Sequence, residues 1–159
     1  MAWNTDMVMM LRSTIGDDAE PYTYSSIKLV DLLITAAIKV IMSVDFDRVY
    51  RVDVSDRSIT PDPVGVGDLD FQILVVLQAV VILAVGEYRK KIEYSVSIKD
   101  GPSSIQTTDM ATKTRQWMND ALAAYNGAVL AYKMGNGLSG AGIVGPYGIG
   151  LTPRAARSG

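Results

Sequence analysis

The sequence contains neither cysteine nor histidine. Without cysteine, disulfide bonds and thiolate chemistry are excluded, and the redox compartment stays open. Without histidine, the chain lacks the commonest general base and the commonest transition-metal ligand. Aspartates do occur in close pairs, such as Asp45 with Asp47, and paired carboxylates can bind a hard cation. Because no nucleophile, base or third ligand accompanies these pairs, we expect no catalytic site, no metal site and no cofactor.

An excess of positive charge is missing as well. The formal net charge is −2, and the only two charged residues of the C-terminal segment, Arg154 and Arg157, leave −4 on the remainder of the chain. A protein that grips nucleic acid through its phosphates needs a basic face. The composition therefore argues against a nucleic-acid-binding protein. The first ten residues also lack the basic stretch and long apolar run that mark a signal peptide.

Four segments have the apolar spacing of helices, and each has a residue suited to begin or end it. The first segment has Asn4 or Thr5 as its predicted cap and Gly16 as its stop. The predicted cap of the second is Ser25 or Ser26, and that of the third is Asp68. The fourth has Thr107, Thr108 or Asp109 as its predicted cap and Gly135 as its stop. In the last helix the predicted apolar stripe consists of Trp117, Ala121, Tyr125, Ala128, Val129 and Tyr132. These four segments predict a mainly α protein.

Two short segments change to a period of two, which is typical of strands. Residues 49–60 alternate around the turn "SDRS" and predict a β-hairpin. Residues 96–105 alternate around Asp100, Gly101 and Pro102, which predicts a second hairpin or an ordered loop. The expected fold is a small bundle of about four helices with one or two short β-hairpins over residues 1–134. An extended glycine-rich tail, residues 135–159, follows it.

The third helical segment is apolar on nearly all sides between Leu69 and Val85. A membrane span needs roughly 20 predominantly apolar residues, and this run is slightly short and contains Asp70, Gln72 and Gln78. We therefore favour a helix buried in a core or by neighbouring subunits. A small membrane-associated protein built around residues 69–85 remains the alternative, and an enzyme that works through carboxylates is a more distant one.

The tail combines many glycines with apolar side chains and has no acidic residue. Ordering glycine is costly in backbone entropy, so we expect the tail to become ordered only on assembly. Its candidate partner-binding residues are Ile143, Val144, Tyr147, Ile149, Leu151, Arg154 and Arg157. Glycine-rich stretches can also cradle phosphates, but here they follow a helix and lack a Gly-Lys-Ser/Thr element. A phosphate-binding loop is therefore not predicted.

The order of segments resembles that of a known family. "MLRSTIGDD", "YTYSSIKLVDLLITAAIKVI", "YRVDVSDRSITPDP" and "SIKDGPSSIQTTD" follow one another and precede a final helix. This order is similar to that of the head–tail connector (adaptor) proteins of tailed bacteriophages. The likeness spans about residues 9–134 and lies in the order of caps and turns rather than in a single motif.

The resemblance implies a structural virion protein, made in the host cytoplasm and located in the neck of the particle. Such proteins form a homo-oligomeric ring, commonly of twelve copies, beneath the portal protein, and they dock the next neck or tail protein. They are not enzymes, DNA only passes through them, and no membrane is involved. On this basis we expect two candidate contacts with the next subunit, the hairpin around Asp53 to Ile59 and a loop that contains Ile98, Asp100 and Ile105. The tail is expected to anchor the chain to the portal or to adjacent copies.

Overall fold

The part of the chain that the structure describes forms four helices and one small hairpin. A computed structural model describes residues 2–97 and 103–135, with side chains described for residues 3–93 and 109–135. The elements in chain order are α1 (Ala2–Ile15), α2 (Ser26–Ser43), β1 (Arg51–Asp53), β2 (Ser58–Thr60), α3 (Leu69–Ser97) and α4 (Ser103–Lys133). The predicted mainly α bundle with a short β-hairpin is thereby confirmed.

The ends of α1 and α2 follow from local backbone chemistry. Helix α1 ends where Gly16 adopts a φ of 71°, a conformation that costs glycine no steric energy. Helix α2 begins after Ser25, whose side chain accepts a hydrogen bond of 3.3 Å from the Lys28 N–H. Both boundaries were predicted. The predicted cap at Asn4 or Thr5 is wrong, because α1 already begins at Ala2.

The hairpin closes between two short antiparallel strands, with Val52 opposite Ile59. The carboxylate of Asp53 shapes the turn, because it accepts a hydrogen bond of 2.6 Å from the Ser55 hydroxyl and another of 3.0 Å from the Asp56 N–H. Ile59 is buried in the core of the bundle. The predicted hairpin over residues 49–60 is therefore confirmed. It packs on the helices through both strands, since β1 contacts α2 and Val52 packs against the core.

Helix α3 is the centre of the core and packs against α1, α2 and α4. Its start is capped by Asp68, whose carboxylate accepts a 3.0 Å hydrogen bond from the Phe71 N–H. By length and composition, Leu69–Glu93 could cross a membrane, since its most apolar window has a mean hydropathy of 2.3. Within the described protein, however, 61% of that window is buried by other elements. The buried Gln72 is accommodated because its side-chain amide donates to the Pro63 carbonyl at 2.9 Å.

Helix α4 packs along α3 over most of its length. Every residue of the predicted stripe from Trp117 to Tyr132 is buried or packs against the core, so that prediction is confirmed. On α2, the apolar residues Leu33 and Val40 are also buried. Ile27 is an exception, with 66% of its surface exposed, because it lies in the first turn of α2 and faces outward.

The predicted second β-hairpin is not found in the described residues. Val96 lies in α3 and Ile105 lies in α4, and only residues 98–102, which are outside the described chain, separate the two helices. The predicted cap at Thr107, Thr108 or Asp109 is likewise wrong, because α4 begins at Ser103. Alternation over three or four residues is a weak signal, and it gives way here to the packing of two long helices side by side.

Candidate interaction surfaces

The residues predicted to bind partners lie mostly outside the described chain. They are Ile143, Val144, Tyr147, Ile149, Leu151, Arg154 and Arg157 in the tail, and Ile98 and Asp100 in the connection between α3 and α4. Ile105 lies in α4, but its side chain is outside the described set. Their roles therefore stay predictions, and the described residues form other surfaces that sequence reasoning did not identify.

Four aromatic rings hold together the end of the bundle at which α3 begins and α4 ends. The ring of Phe46 lies 5.2 Å from that of Phe71 on α3 and 5.2 Å from that of Tyr132 on α4. Tyr50 stacks on Phe71 with 3.9 Å between ring centroids and an interplanar angle of 14°. The segment after α2 is thereby fixed to both long helices. Gly135, from which the tail continues, follows this packed end of α4 directly.

Tyr50 is also joined to Asp68 by a hydrogen bond of 2.6 Å from its hydroxyl group. Burial, followed by this hydrogen bond and the nearby negative charge, raises the pKa of Tyr50 well above the ordinary value of 10.0. The phenol therefore stays protonated and keeps donating across the physiological range. Since the second oxygen of Asp68 caps α3, this carboxylate connects the hairpin region to the helix.

An acidic depression surrounds the same end of the bundle. Two adjoining open hollows, of about 570 and 590 Å³, share Asp47, Asp70 and Tyr132 in their walls, and the second also includes Asp45 and Lys133. Among the described residues, no three carboxylates, histidines or cysteines come together in a way that could hold a metal ion. The aspartates therefore give this end a negative surface rather than a chelating site.

A buried ion pair fixes the corner between α1 and α2. Arg12 donates to the carboxylate of Asp17 at 2.7 Å, and both side chains are less than one tenth exposed. Arg12 also donates to the Tyr24 carbonyl at 3.0 Å and to the Ser26 hydroxyl at 3.2 Å. Its guanidinium group lies 3.9 Å from the ring centroid of Tyr22. One side chain thus joins the end of α1 to the start of α2.

Backbone N–H groups also donate hydrogen bonds to the carboxylate of Asp17. It accepts hydrogen bonds from the Thr23 N–H at 2.6 Å and from the Tyr24 N–H at 3.2 Å. Burial acts to raise the pKa of this carboxyl, but the backbone hydrogen bonds from Thr23 and Tyr24 and the charge of Arg12 outweigh it, so the pKa lies below 3.8. Asp17 therefore stays ionised at neutral pH and holds the loop over residues 17–24 in place.

The Arg12–Asp17 corner forms one end of a groove between α1 and α2, which we call the α1–α2 groove. It has a volume of about 550 Å³ and its walls are mostly apolar. Its lining residues are Asn4, Thr5, Val8, Met9, Arg12, Ser13, Asp18, Tyr22, Ser26 and Val30. Met9 is 64% exposed and Tyr22 is 47% exposed, so two large apolar side chains stand open to solvent at one site. Such an apolar site is suited to a partner that covers it.

The opposite end of the long helices has an excess of basic residues. Tyr24, at the start of α2, lies beside Glu87, and burial together with the charge of Glu87 raises the pKa of this tyrosine. Helix α3 continues beyond this level to Ser97, and α4 returns alongside it. The basic residues of this part are Arg89, Lys90, Lys91, Lys113 and Arg115, all exposed or only partly buried. Glu87, Glu93 and Asp109 lie in the same part, and Glu87 pairs with Lys90 at 3.2 Å, so this part has only a modest excess of positive charge.

Sequence reasoning missed Arg12, Asp17 and Phe46. Arg12 and Asp17 flank the helix stop at Gly16, but an arginine five residues before an aspartate is a common spacing on a protein surface. Only the folding back of α2 brings Tyr24 and Ser26 to the same guanidinium group. Phe46 stands alone between two aspartates, and its role depends on contacts with distant residues.

No protein-family model, no curated protein and no solved structure matches this chain. Its function has to be inferred from its own residues.

Proposed function

We propose that this chain is a structural subunit of the head–tail connector of a tailed bacteriophage. In this role it forms a ring between the capsid portal and the tail, extends the DNA channel and docks the next neck or tail protein. The observation that carries the proposal is the order of elements: a helix stopped by Gly16, a helix capped by Ser25, a hairpin, a long apolar helix and a final helix. This is the order on which the sequence resemblance depends.

The distribution of charge is compatible with a ring. A ring closes when one surface of each subunit binds a different surface of the next and the rotation permits closure. The end around Asp47 and Asp70 has an excess of acidic groups, and the end around Arg89 and Lys113 has a modest excess of basic groups, so they are two such different surfaces on one chain. Opposite charges on the two surfaces favour contact between unlike ends and disfavour contact between like ends.

Helix α4 offers an apolar face for subunit contacts. Leu122, Leu130 and Met134 recur at helical spacing on the side away from the core residues Ala121 and Tyr125. Leu130 is 60% exposed and Met134 is 67% exposed, so little of the described chain covers them. In the proposed ring, neighbouring copies or the portal cover this face. The other predicted contact residues are Ile105, near the start of the same helix, and Ile98 and Asp100, in the connection that precedes it.

Truncation of the chain after Met134 tests the role of the tail. The described core lies between Trp3 and Tyr132, so the truncated chain is expected to keep the helicity of the full chain. It is expected to fail to dock on the portal, because it lacks the apolar and arginine side chains of residues 143–157. Circular dichroism checks the helicity, and electron microscopy of the chain mixed with a portal from the same source checks docking. Normal rings from the truncated chain would show that the tail is dispensable, and no rings from the full chain would contradict the proposed function.

A membrane-associated protein is the second candidate, because Leu69–Glu93 has the length and composition of a membrane span. The connector proposal predicts that the full chain stays in the supernatant without detergent, since α3 is covered by α1, α2 and α4. Ultracentrifugation after mixing with lipid vesicles measures this directly. Recovery of most of the chain with the vesicles, released only by detergent, would favour the membrane candidate and remove the connector proposal.

A further inference from the structure

We propose that the α1–α2 groove is the binding site for residues 143–151 of a neighbouring copy of this chain. The groove is apolar, and its side chains Met9 and Tyr22 are open to solvent. The chain itself contains a segment of matching character, since Ile143, Val144, Tyr147, Ile149 and Leu151 lie among glycines. The inference deepens the proposed function, because a ring brings copies side by side.

The charges of the two partners are complementary. Asp18 lines the groove, and Glu20 lies close by in sequence; both are exposed. The tail has two arginines, Arg154 and Arg157, shortly after its apolar residues and has no acidic residue. When Leu151 lies in the groove, Arg154 follows three residues later and therefore lies near Asp18 and Glu20. Glycine at every second or third position between residues 135 and 150 also permits close approach of the tail backbone to the groove walls.

Chain length limits which residues of the tail reach the groove of the same copy. Ser43 at the end of α2 contacts Tyr125 of α4 at 3.1 Å, and α4 then continues for about 15 Å to Gly135. Val30 in the groove lies about 20 Å from Ser43 in the opposite direction along α2.

Gly135 is thus about 35 Å from the groove along the bundle, before any path around the helices is added. The eight residues from Gly135 to Ile143 span at most about 26 Å when fully extended. Residue 143 therefore does not reach the groove of its own chain, whereas Tyr147, up to about 40 Å from Gly135 when the tail is extended, does. The choice of a neighbouring copy rests on the proposed ring, which brings copies side by side.

Photo-crosslinking of the full chain tests this site. Tyr147 is replaced by p-benzoylphenylalanine, and equal amounts of ¹⁵N-labelled and unlabelled protein are mixed, with and without portal. Irradiation is expected to produce cross-links of mixed isotope composition to peptides that contain Met9 or Val30. Cross-links of a single isotope composition only, cross-links to other surfaces, or no cross-links in either mixture would overturn the inference.

A matched pair of variants isolates the groove. Met9→Glu places a charge in the groove, whereas Met42→Glu places the same charge on α2 outside it, and both methionines are mainly exposed. Met9→Glu is expected to lower the cross-link yield at least about tenfold, because the carboxylate is desolvated when the tail binds. Met42→Glu is expected to leave it unchanged. Equal yields from the two variants would overturn the inference.

The experiment separates this inference from the proposed function. Mixed-isotope cross-links to the groove together with no portal binding would contradict the connector proposal and keep the tail site. Portal-bound rings without such cross-links would contradict the tail site and keep the connector proposal.

Discussion

Phe71→Ala is expected to lower the free energy of unfolding by about 3–5 kcal/mol, which is the cost of removing a large aromatic side chain from a packed core. Phe71 is completely buried, stacks on Tyr50 and lies edge-on to Phe46. Its loss leaves a cavity beneath the segment that follows α2 and weakens the attachment of that segment to both long helices. Urea unfolding followed by circular dichroism measures the change as a shift in the midpoint.

The matched control for Phe71 is Val49→Ala in the same region. Val49 is 79% exposed, so its truncation is expected to change the free energy of unfolding by no more than about 0.5 kcal/mol. A loss of less than about 1 kcal/mol for Phe71→Ala would contradict the central position of the aromatic cluster in the core.

Arg12→Met is expected to lower the Tm by on the order of 10 °C, because it leaves the carboxylate of Asp17 buried without its cation. The hydrogen bonds from Arg12 to the Tyr24 carbonyl and the Ser26 hydroxyl are lost as well. Arg57→Met is the control. Its ion pair with Asp31 is about half exposed on both sides, so the expected loss is no more than about 2 °C. Differential scanning calorimetry compares the Tm of the two variants. Equal decreases in Tm would show that the buried Arg12–Asp17 pair stabilises the fold no more than the exposed pair does.

The pH dependence of stability provides a second test of the same pair. The pKa of Asp17 is below 3.8 in the folded protein, so its contribution to stability is complete above the ordinary carboxyl value. This contribution is lost as the pH falls through the folded-state pKa, where the carboxyl becomes protonated. Asp17→Asn is therefore expected to be less stable than the parent chain at pH 7, with a smaller difference at pH 2. A constant difference between pH 7 and pH 2 would contradict the depressed pKa.

Much of the fold could be predicted because its signals are local. Ser25 begins α2 and Gly16 ends α1 through interactions with residues three or fewer positions away, or through their own φ angle. The apolar spacing of α4 is equally local, since any helix with this pattern presents one face to a core. The connection between α3 and α4 was predicted less well. Short alternation near Asp100 indicated a hairpin or an ordered loop over residues 96–105, but two long helices extend to within five residues of each other.

The candidate surfaces could not be predicted in the same way. The α1–α2 groove depends on the angle at which α1 and α2 meet, and that angle is held by Arg12 across a separation of 12 residues to Tyr24. The acidic end arises because Asp47 and Asp70, far apart in sequence, are brought together by the packing of Phe46 on Phe71. Nothing in the sequence around Arg12 indicates that it meets Tyr24, and nothing around Asp47 indicates that it meets Asp70.

Helix positions, the hairpin turn and the apolar character of α3 were determined by the sequence alone, because backbone conformational preferences and hydrophobic periodicity act over a few residues. Whether α3 is covered by protein was decided only by the tertiary structure, in which α1, α2 and α4 bury most of its apolar window. The tertiary structure likewise decided that Met7 lies in the core while Met9 stands open at the groove. Burial depends on which distant elements pack over a residue, and its neighbours in sequence do not specify that.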